Sequence, residues 1–278
     1  MNEKGVVAGN GWTETGAFPF TYDSEKKEFT SIPNIPNTTF TGVWAINDLG
    51  VLVGFTSFDG NTEVGLILRR HNSYTTLVNP NAFTFTEPRG INNEGMVTGW
   101  FDTADGLTTG WLYEPKTKTY TNFLPSNFTL AQGINSLEDI VGSVYLDDGV
   151  AYPGSAAGIY GFLRSRTGAV KYFQVNGTET HARGITDSRI VTGFACDSST
   201  CYGFITRLKG LPFEAITISN DDLISPPGYA TYPQGIAYVE DRQHGCPGFG
   251  YDLEDLAIAG IVIDAEGHNH GFVAFHSK

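Results

Sequence analysis

Short apolar runs alternate with polar and glycine-rich stretches along the whole chain. The runs are rich in β-branched and aromatic residues and are bounded by Gly, Asn and Asp. This is the pattern of short strands joined by tight turns. No segment shows the period of an amphipathic helix. The hydrophobic pattern therefore predicts an all-β protein.

A Val/Ile-x-Gly motif occurs six times, which indicates an internal repeat. Its glycines are Gly9, Gly54, Gly99, Gly142, Gly193 and Gly260. The first intervals are about 45 residues long, and later ones are longer because those units carry insertions. A Gly-led apolar run follows each motif, and in most units a Thr-rich alternating run comes next. Four short strands in a repeat of this length are typical of a propeller blade.

We predict a single domain over residues 1–278, a six-bladed β-propeller with about four antiparallel strands per blade. The repeat units start near residues 1, 43, 88, 131, 182 and 233. The first unit lacks its innermost strand and the last lacks its outermost strand, so we expect these partial units to pair and close the ring. We also expect a segment with a signal peptide to precede Met1. The insertions near 144–160 and 238–253 are expected to form loops on one face.

A second repeated element, Gly-Ile-Asn, has one variable position, directly before its Gly or Ala. If this element lies on the innermost strand of each blade, the variable side chains meet around the central channel. They are Trp44, Arg89, Gln132, Arg183 and Gln234. The preceding part of the same strands adds Glu87, His181 and Tyr232.

We predict a substrate site in this ring. The predicted catalytic residues are Arg89, Arg183 and His181; the predicted substrate-binding residues are Trp44, Gln132, Gln234, Tyr232 and Glu87. The ring residues differ from blade to blade, which favours one asymmetric site over a set of equivalent ones. An alternative is that these side chains only satisfy backbone groups along a water-filled channel.

Charge narrows the class of partner. Thirty Asp and Glu against 17 Lys and Arg give a net charge of −13. This argues against nucleic acid or an anionic membrane as the partner. Two arginines in the ring of an acidic chain favour an anion or an enolate, because guanidinium offers forked donors. We expect a small-molecule substrate, no cofactor and no metal, since His268 and His270 have no third ligand nearby in the sequence.

The cysteines and three sequons bear on the compartment. Cys196 and Cys201 flank a four-residue turn, a spacing that suits a disulfide, and Cys246 remains unpaired in this scheme. Three Asn-x-Thr sequons, which would carry glycans, precede ring residues; they begin at Asn37, Asn127 and Asn176. Together these features favour the secretory pathway or an extracellular location. A cytosolic protein with reduced thiols is the alternative.

The repeated series Gly-Ile-Asn-x-x-Gly-x-Val-x-Gly, then Gly-Phe/Trp-Leu, then Tyr-Thr-Thr-Leu resembles the HAF-type extracellular repeat of bacteria and fungi over nearly the whole chain. In size, six-fold repeat and glycosylation pattern the chain is similar to the fungal hetero-Diels–Alderases of tropolonic sesquiterpene pathways. This resemblance implies a cofactor-independent cyclase that joins a tropolone-derived quinone methide to a humulene-type alkene. It transfers no catalytic residue position by position.

The residues suggest roles in such a reaction. Arg89 and Arg183 would hold the oxygens of an ionised tropolone, and His181 or Tyr232 would donate a proton for loss of water. Orientation of the two reactants would supply most of the acceleration. The alternative function is a secreted lectin-like or ligand-binding propeller in which Trp44 stacks on a sugar face.

Overall fold

The computed structural model describes residues 1–13, 16–69, 73–198, 201–207, 214–216, 230–238, 256–263 and 269–275. These residues form 22 strands and no helix. Accordingly, the described ranges contain no helix that is long and apolar enough to span a bilayer. The predicted all-β class is confirmed.

The strands form six antiparallel sheets, and each sheet takes its strands in chain order. The first sheet contains β1 (Val6–Thr13), β2 (Gly16–Asp23) and β3 (Glu28–Ser31). The second contains β4 (Phe40–Ile46), β5 (Leu52–Ser57), β6 (Glu63–Leu68) and β7 (Tyr74–Leu77). The third contains β8 (Thr86–Ile91), β9 (Val97–Asp102), β10 (Thr108–Glu114) and β11 (Thr119–Ser126).

The remaining three sheets follow the same order. The fourth contains β12 (Thr129–Ile134), β13 (Ile140–Leu146), β14 (Gly158–Arg164) and β15 (Val170–Phe173). The fifth contains β16 (Glu179–Ile185), β17 (Ile190–Cys196), β18 (Cys201–Arg207) and β19 (Glu214–Ile216). The sixth contains β20 (Ala230–Tyr238), β21 (Leu256–Ile263) and β22 (Asn269–Phe275).

The hydrophobic core lies between consecutive sheets. Five separate clusters fill the spaces from the first sheet through to the sixth, for example the cluster of Val53, Phe101 and Trp111 between the second and third. The first two or three strands of a sheet are therefore covered on both faces, so their sequences are nearly continuous apolar runs. The outermost strands are exposed, as in β3 and β7. This exposure explains why those strands are rich in Thr.

Buried asparagines join the inner ends of the first five sheets. The Nδ2 of Asn2 donates to the carbonyl oxygen of Asn47 at 3.0 Å, and the Nδ2 of Asn47 donates to that of Asn92 at 3.0 Å. Asn92 then donates to Asn135, and Asn135 to Thr186, each at 3.1 Å. The Oδ1 of each asparagine accepts a backbone N–H from its own turn. The Asn of the repeated motif thus closes a turn and links two sheets.

The partial units have the strand content that the repeat predicts. The first sheet lacks an inner strand, and the sixth has three strands in the described residues. No strand pairing joins these two sheets within the described ranges, so the predicted closure by pairing is not observed there. They approach each other at Gly235, where an added Cβ would lie 3.0 Å from the backbone nitrogen of Met1. Most of the 238–253 insertion lies outside the described residues.

We predict that Asn92→Ala lowers the free energy of unfolding by about 2–4 kcal/mol. The substitution leaves the N–H of Met96 and the carbonyl of Asn135 buried without a partner, and each unsatisfied group costs about 1–3 kcal/mol. Chemical denaturation measures the change. Asn61→Ala is the control, because that side chain is exposed and makes only a long contact, at 3.5 Å, with Asp59. Equal losses in the two variants would contradict the structural role of Asn92.

Candidate functional site

Each of the five inner strands β4, β8, β12, β16 and β20 carries a β-bulge at the same position. In β8, for example, the pairing with β9 shifts between Pro88 and Gly90, which leaves Arg89 as the extra residue. The bulge residues in strand order are Trp44, Arg89, Gln132, Arg183 and Gln234. A bulge residue has no partner across the sheet, and bulges commonly redirect a side chain next to a functional site. The variable position is therefore the unpaired residue in every unit.

Two glycines of the repeat allow this bulge to form. Gly99 of the Val-x-Gly motif pairs with Pro88, and a Cβ at Gly99 would lie only 2.0 Å from the carbonyl oxygen of Glu87. Gly133 directly follows a bulge residue, and a Cβ there would lie 2.8 Å from the carbonyl oxygen of Arg183 on the next inner strand. Real Cβ atoms do not approach so closely. The glycines are thus needed for close approach of the backbones.

Residues from all six units line one shared cavity. We name the end at which the inner strands begin the upper end, and the end at which the asparagine turns lie the lower end. A cavity of about 80 Å³ opens at the lower end. It is lined by the Ile-Asn part of the repeat, from Asn2 through to Ala237. The bulge residues lie on the other side of the motif, toward the upper end.

Arg89 is already neutralised and stacked. Its Nη2 lies 2.8 Å from the Oε1 of Glu87, and its guanidinium carbon lies 4.0 Å from the centre of the Trp44 ring. Trp44 also stacks on Phe55, with 5.5 Å between the ring centres and 12° between the planes. Burial lowers the pKa of Arg89, and the charge of Glu87 opposes that shift. Trp44 thus contacts both Arg89 and Phe55 and remains 37% exposed.

Arg183 is a partly buried cation, and Glu87 acts on it only through its charge, without a direct contact. Its guanidinium carbon lies 5.1 Å from the centre of the Phe194 ring. Within the described part of the chain it forms no ion pair. Burial lowers the pKa of Arg183 to about 10; the charge of Arg89 lowers it further, and that of Glu87 opposes both. The guanidinium remains charged at neutral pH and offers its donors to a ligand.

His181 lies beside Arg183 and is uncharged at neutral pH. Its ring stacks on Phe194 with 4.5 Å between centres, and the edge of Phe128 contacts it from another side. Burial lowers the pKa of His181 to about 4, and the charge of Arg183 contributes to the shift. A neutral imidazole is a poor proton source for the loss of water. His181 would have to take up a proton before it could act as the acid predicted from the sequence, and that role stays a prediction.

The upper end gathers buried polar atoms that have no hydrogen-bond partner. Six of them are the Nε atoms of Arg89 and Arg183, Gln132 Nε2, His181 Nδ1, Trp100 Nε1 and Ser143 Oγ. Buried polar atoms in folded proteins are nearly always paired, so a cluster of exceptions calls for an explanation. Most of the six are hydrogen-bond donors. A ligand that carries oxygen acceptors would complement them.

The other predicted site residues are distributed as follows. Gln234 is exposed, and the side chain of Tyr232 lies outside the described part of the structure. The sequon residues Asn37, Asn127 and Asn176 are exposed in the loops that lead into β4, β12 and β16, hence at the upper end.

A disulfide joins Cys196 to Cys201 across the β17–β18 hairpin. Cys246 and His268 lie outside the described residues, within which no group of three His, Cys, Asp or Glu side chains could hold a metal.

The sequence reasoning missed a second layer of the site. Phe55, Trp100 and Phe194, which follow the Val-x-Gly motif, were not among the predicted site residues. In the structure Trp100 is paired with Glu87, and Phe194 with His181, so each lies opposite a ring residue. The regular spacing of the two motifs would have revealed this pairing. Glu63, the first residue of β6, belongs to neither repeated motif, so the sequence pattern did not point to it.

Comparisons with known proteins establish the fold. No protein-family model and no curated protein matches this chain. Among solved structures it is similar to the β-propeller domain of the Trilobed protease from Pyrococcus furiosus, with a TM-score of 0.52, 11% identity, and coverage of 98% of this chain and 93% of that one. It is also similar to the acylaminoacyl peptidase of Pyrococcus horikoshii, with a TM-score of 0.52 and 13% identity; the match covers 99% of this chain but 43% of the peptidase. The fold is that of a β-propeller.

We predict that His181 stays neutral down to about pH 4 and that Arg183→Met raises its pKa. Loss of the nearby guanidinium charge removes one of the two causes of the depression, while burial remains. Titration of the imidazole by NMR measures both values. Arg166→Met is the control, because Arg166 is an exposed residue that pairs with Glu138. A pKa near 6.5 in the unaltered protein would show that the site is open to water.

Proposed function

We propose that the upper end of the channel binds a small planar molecule that carries an ionised oxygen. The observation that supports this most strongly is Arg183, a partly buried guanidinium that forms no ion pair within the described residues. A buried charge is costly unless it is paired, so an anionic ligand would remove a large penalty. Phe194 and His181, stacked on each other, form an aromatic wall beside it.

The two ring arginines have different roles in this proposal. Arg89 already has its carboxylate partner Glu87 and its aromatic partner Trp44. Arg183 is therefore the anion-binding residue, and Arg89 positions the wall opposite. Gln132 lies on the inner strand between those of Arg89 and Arg183, and its unpaired Nε2 would donate to a second oxygen of the ligand. Two adjacent oxygens on a ring, as in a tropolone, fit this arrangement of donors.

As the reaction we propose a cofactor-independent hetero-Diels–Alder cyclisation. An ionised hydroxymethyl tropolone would bind at Arg183, lose water to become a quinone methide, and add to a humulene-type alkene. Holding the two reactants together is the main contribution, worth on the order of 7–11 kcal/mol at best. Donors directed at the carbonyl oxygen would stabilise the charge that develops there.

An apolar rim at the upper end supports a hydrophobic second substrate. Exposed apolar side chains occur in the loops at this end, between β5 and β6, between β7 and β8, and between β13 and β14. They are Phe58, Phe83, Val150 and Tyr152. Such side chains above a polar floor suit one oxygenated and one hydrocarbon reactant.

The arrangement of the sheets supports a ring of six blades as the setting of this site. Five core clusters join the six sheets in order, and all six units line the lower cavity. In such a ring the inner strands carry the bulge residues around one axis. A single ligand at the upper end would then contact several units at once.

The lectin-like alternative has less support. It requires an aromatic face on which a sugar can stack, and Trp44 was the residue predicted for that role. Arg89 and Phe55 both pack against the Trp44 ring. These contacts reduce the aromatic surface on which a sugar could stack.

We predict that Arg183→Met weakens the binding of tropolone by about tenfold to a hundredfold, since one or two charge-assisted hydrogen bonds are lost. Isothermal titration calorimetry measures the affinity. The same substitution should leave the thermal stability unchanged or raised, because it removes a buried charge without a partner. Arg89→Met should instead destabilise the fold by about 3–5 kcal/mol, because Glu87 is left buried and unpaired. Unchanged tropolone affinity in Arg183→Met would overturn the assignment.

We predict that the purified protein, without added cofactor, converts a hydroxymethyl tropolone and humulene to a dihydropyran adduct. Arg183→Met should lose most of the rate, and Arg166→Met, which alters an exposed ion pair, should keep it. Chromatography with mass detection measures the adduct. Tropolone binding without any adduct would overturn the reaction and leave the binding site in place.

A further inference from the structure

We propose that Glu63 is the proton carrier of the upper site: it takes up a proton when an anionic ligand binds at Arg183, and it gives that proton to the departing hydroxyl. This inference rests on the proposed function, whose sequence-based account assigned the proton donor to His181 or Tyr232. It names a different residue, on a third strand, for that step.

The position of Glu63 places it beside the site although it is outside the inner strands. It begins β6, opposite Ser57 on β5, and forms an isolated bridge with Phe85 just before β8. The strand β8 carries the ion pair of Glu87 and Arg89. Glu63 is half-buried, and within the described ranges its carboxyl group has neither a hydrogen bond nor an ion pair. It is thus a carboxyl group near the ion pair of Glu87 and Arg89 that forms no hydrogen bond or ion pair of its own in the described part of the chain.

The charges around Glu63 favour its protonated form. Burial raises the pKa of Glu63, the negative charge of Glu87 raises it further, and the positive charge of Arg89 opposes these effects. Among the other elements that pack against β6, β5 carries no titratable residue and β7 carries the exposed Tyr74. Asp59 lies in the turn before β6, where it accepts hydrogen bonds from that turn. An anion bound at Arg183 would add a further negative charge to this region.

The other acidic and basic groups of the site are less suited to carry the proton. Glu87 is held by Arg89 at 2.8 Å, which stabilises its ionised form. The pKa of His181 is about 4 and that of Arg183 about 10, so neither changes charge near neutral pH. Glu63 is the described carboxyl group that faces the ion pair while having no partner of its own.

The proposed step balances in atoms and charge. The ionised oxygen of the ring pushes its electron pair toward the exocyclic carbon, and the bond from that carbon to the hydroxyl oxygen breaks. The carboxyl group of Glu63 gives its proton to the leaving hydroxyl, which departs as water. The products are a neutral quinone methide, a water molecule and the Glu63 carboxylate. The negative charge moves from the ring to Glu63, and no oxidant or metal is required.

Salicylate binding tests the inference without any need for turnover. Salicylate is a planar ring anion that is ionised throughout the range from about pH 5 to pH 8, in which His181 and Arg183 do not titrate. Calorimetry in two buffers of different ionisation enthalpy measures the proton uptake. We expect uptake on binding, and an affinity that falls about fivefold or more as the pH rises and Glu63 ionises. The affinity falls as the pH rises because the ionised carboxylate repels the anion, whereas the protonated carboxyl group does not.

Two substitutions remove the carboxyl group, Glu63→Gln and Glu63→Leu, and either one that folds serves the test. In that variant the proton uptake and the pH dependence of the affinity should both disappear. Glu94→Gln, at an exposed carboxylate in the turn between β8 and β9, should keep both. Salicylate binding without proton uptake, or uptake that persists without the Glu63 carboxyl group, overturns this inference alone. Absence of salicylate binding overturns the proposed function and this inference together.

Discussion

The crowding of five inner strands around one axis is the constraint on which the rest of the structure depends. Backbones can approach so closely only where side chains are missing. A Cβ added at Gly90, Gly133 or Gly184 would lie 2.8–3.0 Å from backbone atoms of the next inner strand. Each of these strands also accommodates one extra residue, as a bulge in its pairing with the second strand of its own sheet. The asparagine that follows links the strand to the next sheet. Scaffold and variable side chain therefore arise from the same short motif.

This constraint also creates the electrostatics of the upper end. A bulge residue has no cross-strand partner, so its polar atoms depend on whatever lies beside them. Arg89 has Glu87 and Trp44 beside it and forms a stable stack. Arg183 occupies the equivalent position two sheets further on, and its neighbours are Phe194 and the neutral His181. Equivalent positions thus hold one satisfied and one unsatisfied cation, and the asymmetry arises from residues on the neighbouring strands.

The difference between Arg89 and Arg183 shows which features the repeat could predict and which it could not. The spacing of the motifs led directly to four-stranded units and to a ring of variable residues, because the period of a strand fixes which residues share a face. The role of each individual ring residue could not be predicted from the repeat. Trp44 and a free Arg89 seemed equally available from the sequence, yet they cover each other in space. Phe55 and Phe194 were not predicted as site residues, although Phe55 stacks on Trp44 and Phe194 lies opposite His181.

The sequence by itself determined the all-β class, the repeating unit and the position of the variable residue, since these follow from local periodicity and from the steric needs of glycine. The tertiary structure alone decided which of these residues remains without a partner. Burial, ion pairing and stacking depend on residues far apart in the chain, such as Glu63 beside the ion pair of Glu87 and Arg89. Their effect on a charge depends on distance and solvent exposure, which no local pattern records.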